Sequence, residues 1–263
     1  MEKNAGKSLK VLSRFGVGVD SVDIPAATEL GIVVTNTPGA MDNGVAELTI
    51  GVVYALCRNI PLRSSWTKSG EWRVKPGIEV AGKTRGIVGL GRIGKRVASL
   101  AIANGMRVVG YDVVWDEAFA STNGVEHLSL AELLAQSDIV TLHVPSIPET
   151  RGMLGARRIA QMKPGARLIN AARGDIVDQD ALLDALRSGH LAGAAIDGWP
   201  TEPPESNPLL ELDCIIASPH MGSGTVESTA RISHIATENA IAVLRGQRPK
   251  FVVNPEVYDR QHR

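Results

Sequence analysis

The feature that most constrains this chain is a rhythm. From Ile87 onward, short uninterrupted apolar runs alternate with segments whose apolar residues recur every three or four positions. Continuous runs of Val, Ile and Leu mark strands covered on both faces, and strands separated by amphipathic helices imply βαβ units and a parallel sheet. Strands are read at 86–88, 107–111, within 138–144, and at 166–170, 191–197 and 214–217. Helices are read at 93–103, 129–135, 155–162, 181–186 and 225–244, with Ser129 and Glu132 at capping-box spacing, Asp178 as a cap and Gly189 as a stop. Ahead of this region, 9–13 and 32–35 read as strands, separated by a glycine loop at 16–18 and a short helix capped by Asp23 and ended by Gly31. Asn43 is expected to cap a further helix with an apolar face of Val45, Leu48, Val52 and Leu56. The polar stretch 68–82, with Pro76 and Gly77, reads as a domain boundary.

Composition narrows the function. The 28 basic and 28 acidic residues cancel, so nothing pulls the chain toward phosphate backbones or anionic lipid, and neither nucleic acid nor membrane is expected as a partner. At 44% hydrophobic and 21% charged, the 263 residues suit one large or two small globular domains. No apolar run reaches the ~18 residues of a membrane span, and residues 1–7 lack the apolar core of a signal peptide. Cys57 and Cys214 lie too far apart to form a disulfide framework or a CxxC metal site, so no metal is expected and a reducing cytoplasm is the simplest compartment.

Gly89-Leu90-Gly91-Arg92-Ile93-Gly94 is a GxGxxG between an expected strand and an expected helix, and Asp112 ends the next strand 18 residues beyond Gly94. The glycines permit a tight turn and close approach of a pyrophosphate, the helix N-terminus offers N–H groups, and the carboxylate accepts from ribose hydroxyls while repelling a 2′-phosphate. NAD is therefore the expected cofactor. Arg92 reads either as a pyrophosphate partner or as a solvated side chain.

Ligands of open α/β sheets bind beyond the carboxyl ends of the strands. There the chain places His143-Val144-Pro145, Asn170-Ala171-Ala172-Arg173-Gly174, Asp197, Glu202-Pro203-Pro204 and Ser218-Pro219-His220-Met221-Gly222. Interconverting an alcohol and a ketone needs a group that takes and returns a proton, for which histidine is suited. A neighbouring carboxylate favours the charged imidazole and fixes its tautomer, and an arginine fork binds a carboxylate and polarises a carbonyl. Asp197 is placed to accept from a nicotinamide carboxamide. Plain structural readings stand beside these: Arg173 as a helix C-terminal cap, Glu202 as a loop charge, and His220 and His143 as satisfied structural residues. His127, His190, His234 and His262 read as surface positions.

With these motifs in this order, the chain resembles the D-isomer-specific 2-hydroxyacid dehydrogenases from Leu9 to about Glu256, and Leu191-Ala192-Gly193-Ala194-Ala195-Ile196-Asp197 matches as well. Val17-Gly18-Val19-Asp20 and Asn36-Thr37-Pro38-Gly39-Ala40 are most similar to the phosphoglycerate dehydrogenase branch and its hydroxypyruvate and glyoxylate reductase relatives. The resemblance implies a doubly wound Rossmann domain plus an incomplete flavodoxin-like outer (substrate) domain. Its implied boundaries are a partial substrate domain at 1–81, an NAD-binding domain at 82–222, and a helix and tail at 223–263 that return to the substrate domain. It implies that Arg173 binds the substrate carboxylate and carbonyl, that His220 is the acid/base, and that Glu202 pairs with it. Val17 and Gly18 contribute backbone N–H groups to the substrate. Gly89, Gly91, Arg92, Ile93, Gly94, Asp112, Val144, Pro145, Ala171, Ala172, Arg173, Asp197, His220, Met221, Gly222 and Ser223 surround NAD. The family's formate dehydrogenases carry glutamine where this chain has Glu202, which argues against formate.

The chain departs from the pattern in three places. Asp197-Gly198-Trp199 stands where the family usually has Asp-Val-Phe, and Met221-Gly222-Ser223-Gly224 replaces the usual Ile-Gly-Ala. Roughly sixty residues of the outer domain are expected to be missing ahead of Leu9, so cofactor binding is expected to be more secure than turnover. No regulatory domain is expected after the last long helix. The expected function is hydride transfer between NAD(H) and a small D-2-hydroxy acid, phosphoglycerate dehydrogenase-like, with a hydroxypyruvate or glyoxylate reductase as the alternative and an NAD-binding module without turnover as the reading of another class. A phosphate-bearing substrate needs a further basic pocket, for which Arg14, Arg58 and Arg63 are candidates. A homodimer is expected through the helix after Asn43 and the arm carrying Trp66 and Trp72, although both tryptophans read equally as internal anchors.

Overall fold

The structure, a computed structural model, describes residues 8–74 and 76–260. The leader reading at 1–7 and the surface reading of His262 lie outside the described residues. In chain order the elements are β1 (Val11–Ser13), α1 (Ile24–Glu29), β2 (Val33–Thr35), α2 (Asp42–Arg58), α3 (Ile60–Lys68), β3 (Thr84–Val88), α4 (Arg92–Ala103), β4 (Arg107–Tyr111), α5 (Glu117–Asn123), β5 (Glu126–His127), α6 (Leu130–Gln136), β6 (Ile139–Leu142), α7 (Ala156–Ile159), β7 (Ala166–Asn170), α8 (Gln179–Arg187), β8 (Leu191–Ile196), β9 (Ile215–Ala217), α9 (Val226–Leu244) and α10 (Val257–Arg260). They form two compact units, one of residues 1–41 and 223–263, the other of residues 42–222.

The larger unit is the parallel sheet that the rhythm implied. Its seven strands run in the order β5-β4-β3-β6-β7-β8-β9, all parallel. The order turns back between β3 and β6, the switch point at which such sheets bind ligands. One face is closed by Val53, Leu56 and Cys57 of α2 and Val97, Ala98 and Ala101 of α4, packed on Ile87, Val108, Ile139, Ile169 and Ala195. The other is closed by Leu133 and Leu134 of α6, Ile159 of α7 and Leu182 and Leu186 of α8, packed on Val88, Val109, Val140, Leu142, Leu168 and Ile196. Every residue of β3 and β6 is buried. One of them is Arg85, 0% exposed, whose three guanidinium nitrogens find no hydrogen-bond partner among the described residues. Burial pushes this guanidinium down to about 9, a shift the nearby Cys57 partly opposes.

Local signals account for the helix starts. Ser129 and Glu132 close a reciprocal capping box on α6, Asp178 accepts from Asp180 N and Ala181 N on α8, and Thr225 accepts from Ser228 N on α9. The structure differs from expectation at three points. The helix assigned to the substrate domain, α2, packs on α4 and the large sheet, and the compact units divide at 41/42. It also begins at Asp42, one residue before the expected cap Asn43. The helix expected at 155–162 is a single turn, α7, because the chain leaves the helix at Ala160 for the turn that ends at Gly165.

The smaller unit holds a β-α-β fragment in which β1 and β2 pair in parallel. A two-stranded sheet is expected to bury its faces poorly, yet β2 is buried at all three residues, while β1 is half-buried. The cover comes from Ala27 of α1, from Val253, and from Asn254, which is 0% exposed. Asn254 Oδ1 accepts from Val34 N (2.8 Å), and its amide donates to Thr28 Oγ1 (2.9 Å) and Ile32 O (3.0 Å). α9 is tied to this sheet by Ser13 Oγ donating to Ala236 O (2.7 Å).

Candidate active site

Within the larger unit, the turn between β3 and α4 is shaped by its glycines. Gly89 has φ 95°, and a Cβ there would lie 2.8 Å from the His143 carbonyl; a Cβ on Gly94 would lie 2.0 Å from Gly89 O. Both positions therefore require glycine, one for the turn and one to seat α4 on it. Gly91 differs, because a Cβ there meets nothing within 4 Å, and as the N-cap it makes no side-chain hydrogen bond to α4. The helix start is thus open and carries no side-chain cap, which suits an anionic ligand. Asp112, just past β4, accepts from Leu90 N (2.6 Å) and Val114 N (3.1 Å), one bond to each carboxylate oxygen. A carboxylate oxygen has two lone pairs, so each keeps one for a ribose hydroxyl. The exposed side chain of Arg92 pairs with Asp42 Oδ2 at 2.8 Å. Ile93 packs against the α2–α4 core.

The loops after the next strands gather beside this turn. Val144 packs under it, its Cγ1 2.9 Å from where a Gly89 Cβ would stand, and the Pro145 carbonyl accepts from Thr150 Oγ1 (2.6 Å). Both ring nitrogens of His143 are buried without a hydrogen-bond partner among the described residues. Burial pushes this imidazole down to about 3, with the Arg85 charge adding to the shift, so it is neutral and takes no part in proton exchange near neutrality. After β7, Asn170 folds the chain back on itself: its amide donates to Arg173 O (2.7 Å) and its Oδ1 accepts from Ala172 N (3.1 Å). The Arg173 guanidinium also donates to Ala172 O (3.0 Å).

Past β8 and β9 the structure brings together two residues that are far apart in sequence. His220 Nδ1 lies 2.9 and 3.1 Å from the two Glu202 oxygens. A carboxylate only accepts, so Nδ1 carries the proton and Nε2 is left as the ring's exchanging nitrogen. His220 holds φ 51°, a left-handed backbone unusual for histidine. Asp197 organises that turn: it accepts from Ser218 Oγ (2.6 Å), Met221 N (2.9 Å) and Gly222 N (2.9 Å), and is 5% exposed. A Cβ on Gly222 would stand 3.1 Å from Asp197 Oδ2.

Residues 50–222 match the model of the D-isomer specific 2-hydroxyacid dehydrogenase NAD-binding domain. The chain belongs to the D-isomer specific 2-hydroxyacid dehydrogenase family. It is 46% identical over 251 residues to D-3-phosphoglycerate dehydrogenase of Methanocaldococcus jannaschii, covering 94% of this chain and 48% of that one. It is 42% identical to glyoxylate reductase of Thermofilum pendens, covering 97% and 77% respectively. The TT0316 protein of Thermus thermophilus superposes with a TM-score of 0.88 at 41% identity, covering 94% of this dehydrogenase-family chain and 79% of the other. The chain thus spans about half the length of the curated phosphoglycerate dehydrogenases it matches.

The remaining expected residues lie elsewhere in this family member. Val17 and Gly18 belong to the smaller unit, where Asn36 Nδ2 donates to Val17 O (3.0 Å) and Arg14 Nε to Gly18 O (3.1 Å). Ser223 opens the second segment of that unit, its carbonyl accepting from Thr225 N (2.8 Å). Of the histidines expected at the surface, His127 is exposed and stacks on Trp115, and His234 is exposed beside Glu238. His190 is half-buried, with Nε2 3.1 Å from Ile159 O. Sequence reasoning missed the roles of Asn170, Ser218 and Trp199. Asn170 had a signal of its own, a polar residue closing a buried strand.

Proposed function

We propose that this chain exchanges a hydride between NAD(H) and a small D-2-hydroxy acid or its 2-keto partner. The observation that carries the reading is the contact of His220 Nδ1 with both oxygens of Glu202, which leaves Nε2 to exchange a proton with substrate. When bound, NAD(H) accepts or donates the hydride. The open start of α4 and Asp112 fit its pyrophosphate and ribose, and a carboxylate at 112 disfavours a 2′-phosphate.

In reduction, His220 Nε2–H gives its proton to the carbonyl oxygen as that oxygen becomes a hydroxyl; in oxidation Nε2 takes the same proton back. Glu202 holds the ring in the tautomer this requires and stabilises the imidazolium. Positioned general acid–base catalysis of this kind contributes about 10²–10⁴ in rate. The Arg173 fork binds the substrate carboxylate and polarises the carbonyl. Asp197 keeps two roles, the turn it organises and acceptance from the nicotinamide carboxamide, for which its oxygens retain lone pairs.

The substrate class follows the relatives. Phosphoglycerate dehydrogenases are among the similar relatives and support the first reading, and a hydroxypyruvate or glyoxylate reductase is the second reading, favoured by the 42% identity to a glyoxylate reductase of which the chain covers 77%. Two free cysteines suit a reducing cytoplasm. Trp72 and Val74, 86% and 87% exposed, support a homodimer through that arm, while Trp66 lies under the Arg73 guanidinium of its own chain.

The test is loss of NADH absorbance with phosphohydroxypyruvate, hydroxypyruvate and glyoxylate. The reading expects oxidation of NADH with at least one of them, and a fall of about 10³-fold in His220→Ala. NADH binding with none of the three reduced would instead favour a dinucleotide-binding module.

A further inference from the structure

The three loops that carry Arg173, Glu202 and His220 converge on one residue. Trp199 is 5% exposed and packs in the apolar layer beneath β8. Its indole Nε1–H donates to Ser218 O (3.1 Å), two residues before His220. Its backbone N–H donates to Glu202 Oε1 (3.0 Å), the oxygen that also receives His220 Nδ1–H. Its carbonyl carbon and the following Pro200 nitrogen press on Gly174, where a Cβ would stand 2.1 Å from each. The residue before it, Gly198, also approaches that loop, since a Cβ there would be 2.9 Å from Ala172 O and 3.4 Å from Arg173 Cα.

One of the Trp199 contacts is backbone against backbone, one is a backbone N–H to the Glu202 carboxylate, and the third is a hydrogen bond that only an indole of this size and position makes. The phenylalanine usual in the family at 199 has no donor, and the valine usual at 198 carries a Cβ that this approach excludes. The two departures therefore act together: bulk is removed at 198, which lets the Arg173 loop close in, and a donor is added at 199, which anchors the turn holding His220. A left-handed histidine is strained and persists only where its surroundings determine it.

We propose that Trp199 is a positioning residue that keeps the Arg173 loop, the Glu202 carboxylate and the His220 turn in a single register, through its indole N–H to Ser218 O and its backbone contacts with Glu202 and Gly174. This rests on the hydride-transfer reading above. Trp199 acts through Glu202 and His220. Removing its donor frees the 218–222 turn and loosens the imidazole from Glu202, while the glycine turn that holds the cofactor is untouched.

The experiment compares the parent chain with Trp199→Phe and with a chain carrying 3-benzothienylalanine at 199, which keeps both rings and lacks the N–H. Turnover with the preferred keto acid, its pH profile, NADH affinity and the downfield imidazole proton resonance of His220 are measured for each. Both variants are expected to lose about tenfold in kcat. KM is expected to rise by no more than about threefold, with NADH affinity unchanged. The high-pH limb of reduction moves down, and the His220 resonance broadens through faster exchange with water. If Trp199→Phe does not fold, the benzothienyl chain decides. Parental kcat, pH limb and resonance in that chain overturn the proposal while His220→Ala remains inactive. His220→Ala turning over at the parental rate would instead overturn the reading on which it rests, and the resonance still reports on the positioning role without any turnover.

Discussion

The two compact units hold themselves together by different means. The unit of residues 42–222 satisfies its backbone with seven parallel strands and excludes water with an apolar layer on each face. The smaller unit has two strands and a small apolar cluster of Ala27, Ile32 and Val34, and it adds the hydrogen bonds of Asn254 to its interior. A broad sheet absorbs a misplaced polar side chain because many neighbours carry the load. A narrow one depends on each polar side chain it buries. The residues proposed for catalysis, Arg173, Glu202 and His220, all sit in the broad unit.

The sharpest way to break this contrast is Arg85. An unpaired guanidinium inside the large core is a cost that the sheet tolerates, so Arg85→Met is expected to raise unfolding free energy by about 4 kcal/mol at neutral pH. The sign follows from linkage. The folded guanidinium releases its proton near 9, well below the unfolded one, so the penalty is complete below pH 9 and fades as pH climbs above it. Denaturant unfolding at pH 7 and pH 10 measures both, and an Arg85→Met chain no more stable than the parent would contradict the account.

Asn254→Leu should act in the opposite direction and in the other unit. It strands Val34 N–H, Ile32 O and Thr28 Oγ1 in the interior, for an expected loss of about 3 kcal/mol. Hydrogen exchange resolved by residue should place that loss in 8–41 and 223–260 and leave the strands of the large sheet protected. Uniform loss across both would show that the units do not differ in this way.

His143 gives an effect confined to acid. Its folded imidazole takes a proton near 3 and the unfolded one near 6.5, so its contribution is intact above pH 6.5 and is lost as pH falls from there toward 3. Between pH 7.5 and pH 5 the parent should lose about 2 kcal/mol more than His143→Leu. Equal losses in urea melts at the two pH values would remove His143 as the cause. The smallest expected effect treats both units alike: Asp23→Ala on α1 and Asp178→Ala on α8 each delete a cap and should each cost about 1 kcal/mol.

The parts of the molecule legible from sequence are those governed by short-range rules. Continuous apolar runs marked six strands of the large sheet, and single residues such as Ser129, Asp178 and Thr225 marked helix starts, because a cap is satisfied by atoms three positions away. What escaped depends on distant partners. β5 is two residues long and exists because β4 pairs with it; α3 and α5 carry too few apolar residues to show a period. The apolar stripe of α2 told that it is buried, but a stripe does not name the sheet it lies on. In the candidate site, residue types at strand ends pointed to Arg173, Glu202 and His220, and the structure joins the last two across 18 positions. The part played by Trp199 was out of reach, since it arises from three loops meeting at one side chain.

In the proposed reaction the hydride reaches the carbon whose oxygen receives the His220 proton. The most direct measurement is reduction of the preferred keto acid with NADH deuterated at the transferring position, followed by analysis of the product. The account predicts a D-2-hydroxy acid carrying deuterium at C2, formed by the parent and lost in His220→Ala. Product without deuterium, product of the opposite hand, or undiminished formation by His220→Ala would contradict it.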